Sequence, residues 1–236
     1  LTTIIRNRGI GENQTRNMCS VTTDQTRTRW RIVENHYPAE YGIVPTLLGR
    51  SFDNSLTTGI RYANQRIDEA QDPVILIGFS AGAAVAGHTA AQLTPAQRRK
   101  VAAVILISDP FQPDGFTSAG HGIAGSRRIN GVTARWIFDE LDPICCTPKN
   151  SPLRTLADQT SSMSLADPHA WGTNLLTRLR LHQWQPVAPQ GSDYAEARAA
   201  IDRYRTGYHT SYNTKRVPGM NVTYTKLAAQ LIDEYA

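Results

Sequence analysis

The apolar residues of this chain change their spacing several times, and each change marks an element. Thr2 to Arg6 (TTIIR) is a short β-rich run, followed by a glycine-bearing loop from Asn7 to Asn13. Trp30 to Val33 reads as a second short strand that ends at the turn His36-Tyr37-Pro38. Leu56, Ile60, Ala63 and Ile67 then recur at helical spacing, with Ser51 or Asp53 able to cap the helix and Asp72-Pro73 to stop it. Val74 to Ile77 and Val101 to Ile107 are unbroken apolar runs, as expected of strands covered on both faces of a parallel sheet. Thr133 to Phe138 is a further strand, and a helix of small residues runs from Ala81 to about Gln92. This β-α-β-α rhythm predicts a doubly wound parallel sheet flanked by helices.

The rhythm stops after residue 146. From Thr147 to Arg205 there is no strand-like run, and Pro152, Pro168, Pro186 and Pro189 interrupt helical patches such as Leu175–Leu181 and Tyr194–Tyr204. We therefore expect residues 1–146 and 206–236 to form one α/β domain and residues 147–205 to be a helical insertion or lid. The chain closes on a helix with Tyr224, Leu227, Ala228, Leu231, Ile232 and Tyr235 along one stripe.

Composition narrows the function. With 236 residues, 40% of them hydrophobic and 19% charged, the chain suits one folded domain with a substantial core. The net charge of +5 is scattered, with its densest clusters at Arg98-Arg99-Lys100 and Arg127-Arg128. These read as solvated surface, and no aromatic stacking platform or zinc-finger pattern points to nucleic acid. No signal peptide is visible, and no apolar run approaches the ~20 residues a membrane span needs. The three cysteines, Cys19, Cys145 and Cys146, do not form a disulfide framework. They leave room for one bridge, for example from Cys19 to one of the adjacent pair. There is no CxxC and no HExxH, so neither a metal nor a cofactor is expected.

One motif carries chemistry. Gly78-Phe79-Ser80-Ala81-Gly82 matches G-x-S-x-G, and it lies between a buried strand and a helix, the setting of a nucleophile elbow. The turn holds the serine at the carboxyl end of the sheet, where open α/β folds bind ligands. A plain tight turn with a serine cap is the structural alternative. A serine nucleophile needs a histidine base, and the histidine needs an orienting carboxylate. The expected chain order is Ser, then acid, then His. Asp109, in Ser108-Asp109-Pro110, and Asp142, in Asp139-Glu140-Leu141-Asp142-Pro143, each follow a strand, and each could instead be a turn-forming Asp before Pro. For the base, His209 stands after the insertion and before the last helix. His169 and His182 lie within the insertion, and His121 precedes Asp142. His88, on the helix after the elbow, fits a packing or surface role better, and His36 lies in an early turn.

Taken together, these stretches resemble the cutinase superfamily, and within it the phage lysin B enzymes, which are mycolylarabinogalactan esterases. Ile5 to Glu12 is similar to the first-strand loop of cutinases with its R-G-x-x-E. Trp136 to Cys145 is similar to the segment in which a strand runs into G-D-x-V-C. Gly120 to Gly125 looks like a loop of the lysin B group. The resemblance implies an α/β-hydrolase fold and makes Asp142 the catalytic acid. It places one oxyanion donor on the backbone of Ala81 and the other near Ile10. The helical stretch between Asp142 and His209 corresponds to the linker subdomain of lysin B enzymes. The chain departs from the pattern at Ala81, where many relatives have Gln, and at Leu141, where they have Gly. The strand before the acid also lacks the cysteine that pairs there in cutinases.

The leading expectation is therefore a serine esterase for long-chain acyl esters, with Ser80, Asp142 and His209 as its triad. Its substrate would be the mycolate ester of mycolylarabinogalactan in the cell envelope. A general cutinase, lipase or acyltransferase on the same triad is the enzyme alternative, and a non-catalytic wall-binding α/β domain the other. A monomer is expected. If phage-encoded, the protein would be made in the host cytoplasm and reach the envelope at lysis.

Overall fold

In a computed structural model, the structure describes residues 1–39, 52–155, 188 and 190–235. Among the described residues, five parallel strands form one sheet: β1 (Thr3–Asn7), β2 (Arg31–Glu34), β3 (Val74–Phe79), β4 (Val101–Ile107) and β5 (Thr133–Ile137), in the order β2-β1-β3-β4-β5. The described helices are α1 (Met18–Thr23), α2 (Phe52–Glu69), α3 (Ala81–Ala91), α4 (Pro95–Lys100), α5 (Gly191–Arg205) and α6 (Tyr224–Asp233), with a 3-10 turn at Tyr208–Thr210. Among the described residues, the strands and long helices expected from the apolar pattern are present, within three residues at each end. Two short helices were not legible. In α1, Asn17 caps the N-terminus in a reciprocal pair with Ser20, and in α4 Thr94 does the same with Gln97. The basic cluster lies on α4, where Lys100 Nζ donates to the carbonyls of Ile67, Asp68 and Ala70 at the end of α2.

The period of two along each strand sorts the core into two layers. Ile4, Ile75, Ile77, Phe79, Ala103, Ile105 and Ile107 face α1 and α6, packing on Met18, Cys19, Tyr224, Ala228 and Ile232. Ile5, Val74, Leu76, Val104 and Leu106 face α2 and α3, packing on Ile67, Ala83, Ala86 and Ala90. Both faces are covered, which is why β3 and β4 are apolar at every position. The strand order reverses between β1 and β3, and the carboxyl ends of these neighbours open the crevice where such sheets place their sites.

The helix cap expected at Ser51, the patch Leu175–Leu181, and His169 and His182 lie outside the described residues. Of the expected insertion, residues 147–155 and α5 are described. Residues 147–154 are tied to the loop after β4 by the buried Arg154, whose guanidinium donates to the carbonyls of His121, Thr147 and Gly122, the last at 2.6 Å. All three cysteines are free and buried, so the bridge allowed for Cys19 is not formed. Cys19 Sγ instead lies 3.3 Å from the carbonyl of Asn7. Among the described residues, no helix is long and apolar enough to cross a membrane.

Candidate active site

The turn after β3 is built by exclusion of side chains. A Cβ on Gly78 would lie 2.1 Å from the carbonyl oxygen of Gly82, and one on Gly82 would lie 1.9 Å from that of Asn7. Glycine at both positions lets β3, α3 and the end of β1 approach this closely. Ser80 between them has φ 56° and ψ −120°, a strained conformation for a residue with a side chain. Its N–H donates to Ile107 O at 2.9 Å, which ties the strained turn to β4.

His209 comes from the far end of the chain. Gly207, with φ 91°, turns the chain out of α5 into the 3-10 turn that carries the histidine. The imidazole is buried, and its Nε2 stands 2.8 Å from Ser80 Oγ. Its Nδ1 stands 3.0 Å from Oδ2 of the fully buried Asp142. An ionised carboxylate only accepts, so Nδ1 carries the proton and Nε2 offers its lone pair to the serine. Phe79 stacks on the ring with centroids 5.0 Å apart, and Tyr204 of α5 stacks at 5.4 Å. The imidazole is thus fixed by hydrogen bonds at its edges and by two aromatic rings.

Asp142 sits in the turn after β5, where its Oδ1 accepts the N–H of Ile144 at 3.0 Å. Its Oδ2 accepts from Ser108 Oγ at 2.5 Å and from Tyr212 Oη at 2.8 Å, besides facing the histidine. Burial alone would push this carboxyl up. The His209 charge and hydrogen bond, with Ser108 and Ile144, outweigh burial and hold it below the usual carboxylate range. Burial, helped by the Asp142 charge, pushes the Tyr212 phenol well up, so it keeps the proton it donates.

The competing acid is committed elsewhere. Asp109 is fully buried; its Oδ2 pairs with Arg127 and accepts Trp136 Nε1 at 3.0 Å, while Oδ1 accepts Phe111 N at 3.0 Å. Arg127 in turn reaches His88 Nδ1 at 3.3 Å. Burial and the neighbouring Arg127 push His88 down to about 4, so it is a neutral packing partner, as expected from its helix position. His121 lies in the loop after β4, bridged to Thr147.

The loop after β1 faces the serine from the other side. Glu12 shapes it, accepting Gly9 N at 2.7 Å and Met18 N at 2.9 Å, while Gly11, at φ 70°, donates to Ala39 O at 3.2 Å. Burial pushes the Glu12 carboxyl up against the pull of those N–H groups and of His209. Ile10 packs in a small cluster with Ala81, Ala84 and Phe52. Among the described residues, no hydrogen-bond partner takes the N–H of Ile10 or of Ala81. No group of three His, Cys, Asp or Glu there forms a metal-ligand set.

Three of the residues that matter most to this geometry were not anticipated: Ser108, Tyr212 and Tyr204. Tyr212 follows His209 by three positions, and Ser108 follows β4 as Ser80 follows β3; these were the available signals.

Residues 5–162 match the family model described as Cutinase. No curated protein sequence matches the chain. Among solved structures, lysin B from Mycobacteriophage D29 aligns at 17% identity and a TM-score of 0.49, covering 98% of this chain and 98% of its own. A cutinase-like protein from Cryptococcus sp. aligns at 18% identity and 0.46, covering 79% of this chain and 96% of its own. The family-model match spans well over half of the chain, which belongs to the Cutinase family of α/β hydrolases.

Proposed function

We propose that the chain is a serine esterase in which Ser80 is the nucleophile, His209 the general base and Asp142 its orienting acid. One observation carries this reading: the unbroken line Ser80 Oγ, His209 Nε2, His209 Nδ1, Asp142 Oδ2, with contacts of 2.8 and 3.0 Å. In the proposed reaction, Ser80 Oγ attacks the ester carbonyl as its proton passes to Nε2. The negative charge on the tetrahedral oxygen is met by the N–H groups of Ala81 and Ile10. The imidazolium gives its proton to the departing alkoxide. Water, deprotonated by the same nitrogen, then releases the acid and restores the serine. Binding energy remote from the ester can speed acylation rather than only lower KM.

The substrate we propose is a long-chain acyl ester, specifically the mycolate ester of mycolylarabinogalactan in a mycobacterial-type envelope. Its support is the set of sequence motifs that resemble the lysin B group and the helical insertion that the sequence pattern predicts between Asp142 and His209, of which α5 is described. In sequence the insertion carries Trp171, Leu175, Leu176, Leu179, Leu181 and Trp184, a set large enough to wall an acyl groove; these residues lie outside the described residues. The test is mass spectrometry of lipids freed from purified mycolylarabinogalactan, beside p-nitrophenyl butyrate and a triglyceride, with Ser80→Ala as control. Free mycolate from the wild type alone supports the reading. Turnover of short esters or triglyceride with no mycolate removes the substrate and leaves a general cutinase-like esterase. Undiminished hydrolysis by Ser80→Ala removes the mechanism.

A further inference from the structure

The elbow at Ser80 has a counterpart on the adjacent strand. Ser80 follows the last residue of β3 and Ser108 the last residue of β4, and the preceding residues Phe79 and Ile107 are register partners. Both serines have positive φ, 56° and 50°. Both N–H groups donate at 2.9 Å to the last carbonyl of the next strand, Ser80 to Ile107 and Ser108 to Ile137. The strain at Ser80 presents a nucleophile. The strain at Ser108 has no such use, because its side chain is fully buried and cannot meet substrate.

What that side chain does meet is the far end of the triad. Ser108 Oγ donates to Asp142 Oδ2 at 2.5 Å and stands 3.2 Å from His209 Nδ1. The Nδ1–H is therefore shared between the carboxylate and the hydroxyl oxygen, and the three groups close a small ring. The φ of 50° is one a glycine would hold without strain, whereas a side chain there is costly. A serine kept at such a position is explained when its hydroxyl is in use.

We propose that Ser108 is a positioning residue of the esterase reaction, its hydroxyl locking the Asp142 carboxylate and the His209 ring in one plane of approach. Tyr212 Oη donates to the same Oδ2 at 2.8 Å. This rests on the triad reading above and deepens it. Ser108 touches neither the scissile bond nor the oxyanion donors, so its effect belongs to proton transfer and not to substrate binding.

The test compares Ser108→Gly and Ser108→Ala with wild type and Ser80→Ala, by thermal unfolding and by p-nitrophenyl butyrate kinetics. Both variants lack the hydroxyl, but only glycine relieves the backbone. Ser108→Gly should therefore melt higher than Ser108→Ala, the order expected where φ is positive. Both should lose kcat equally, by roughly ten- to hundredfold, the size of one charge-assisted hydrogen bond, with KM unchanged. Equal kinetic loss at unequal stability excludes damage to the fold as its cause. Wild-type kcat in Ser108→Gly, or a loss that tracks the melting temperature, overturns the proposal. An inactive Ser80→Ala in that same experiment leaves the triad reading standing, whereas an active one removes it.

Discussion

Replacing Asp142 by Asn tests the proposed base and its tautomer together. The amide has one acceptor and one donor end, whereas the carboxylate accepts at both. Oδ1 faces the N–H of Ile144 at 3.0 Å, and Oδ2 faces Ser108, Tyr212 and His209. The backbone N–H cannot turn, but the two hydroxyls can rotate to accept. The Asn carbonyl should therefore take the Ile144 side and present its NH2 to the imidazole. The opposite orientation sets two donors against each other at Ile144, at a cost of about 1–3 kcal/mol. That bias leaves between roughly one molecule in six and one in 160 with an acceptor at Nδ1. In the remainder Nδ1 must accept, the proton moves to Nε2, and Ser80 faces a donor. Even correctly oriented molecules lose the charge that steadies the imidazolium, for a further ten- to hundredfold by the usual ~1.5–3 kcal/mol of a charged hydrogen bond. The combined expectation is a fall in kcat of roughly 10²–10⁴ with KM little changed. The assay is p-nitrophenyl butyrate hydrolysis, with circular dichroism to establish that the variant is folded. A folded Asp142→Asn enzyme within fivefold of wild type would refute both the tautomer argument and the acid assignment.

The second acid should behave in the opposite way. Asp109→Asn breaks the buried pair with Arg127, so unfolding free energy should drop by about 3–5 kcal/mol while kcat per folded molecule stays within a few-fold, read by denaturant titration and active-site labelling. Glu12→Gln leaves one of the N–H groups of Gly9 and Met18 facing an amide donor, at a cost of about 1–3 kcal/mol. Because that loop carries Ile10, kcat and the rate of inactivation by a phosphonate ester should fall together; inactivation at the wild-type rate would remove Ile10 from the oxyanion site.

The sheet was legible because burial on both faces leaves β3 and β4 no polar positions, and the shortness of these runs, their Val and Ile content and the turn signals that bound them favour strand over buried helix. Ser80 was legible because its chemistry needs a local pattern: glycine on each side, strand before, helix after. α1 and α4 escaped because six residues are too few for a periodic stripe to emerge, and their caps are reciprocal side-chain pairs at Asn17 and Thr94 instead of apolar spacing. Asp109 and Asp142 were alike in sequence, each an Asp before Pro after a strand. What separates them is distant in the chain: Arg127 and Trp136 around one, Ser108, His209 and Tyr212 around the other.

The groups behind Asp142 and His209 leave no mark of this kind in the sequence, whereas the nucleophile elbow does. A nucleophile elbow is constrained within five consecutive residues, so its sequence is its signature. A hydroxyl that braces Asp142 is constrained only by where three strand ends meet. β3 delivers Ser80, β4 delivers Ser108 at the same level one strand over, and the turn after β5 delivers Asp142, because the parallel sheet aligns the carboxyl ends of neighbours. His209 and Tyr212 then enter from the 3-10 turn before α6, and α5 lays Tyr204 over the ring. Each contact depends on sheet order and register, which the apolar pattern implies only as a class of fold. A serine directly after a buried parallel strand, next to the strand that carries an elbow, is thus a candidate support for the acid whenever its φ is positive.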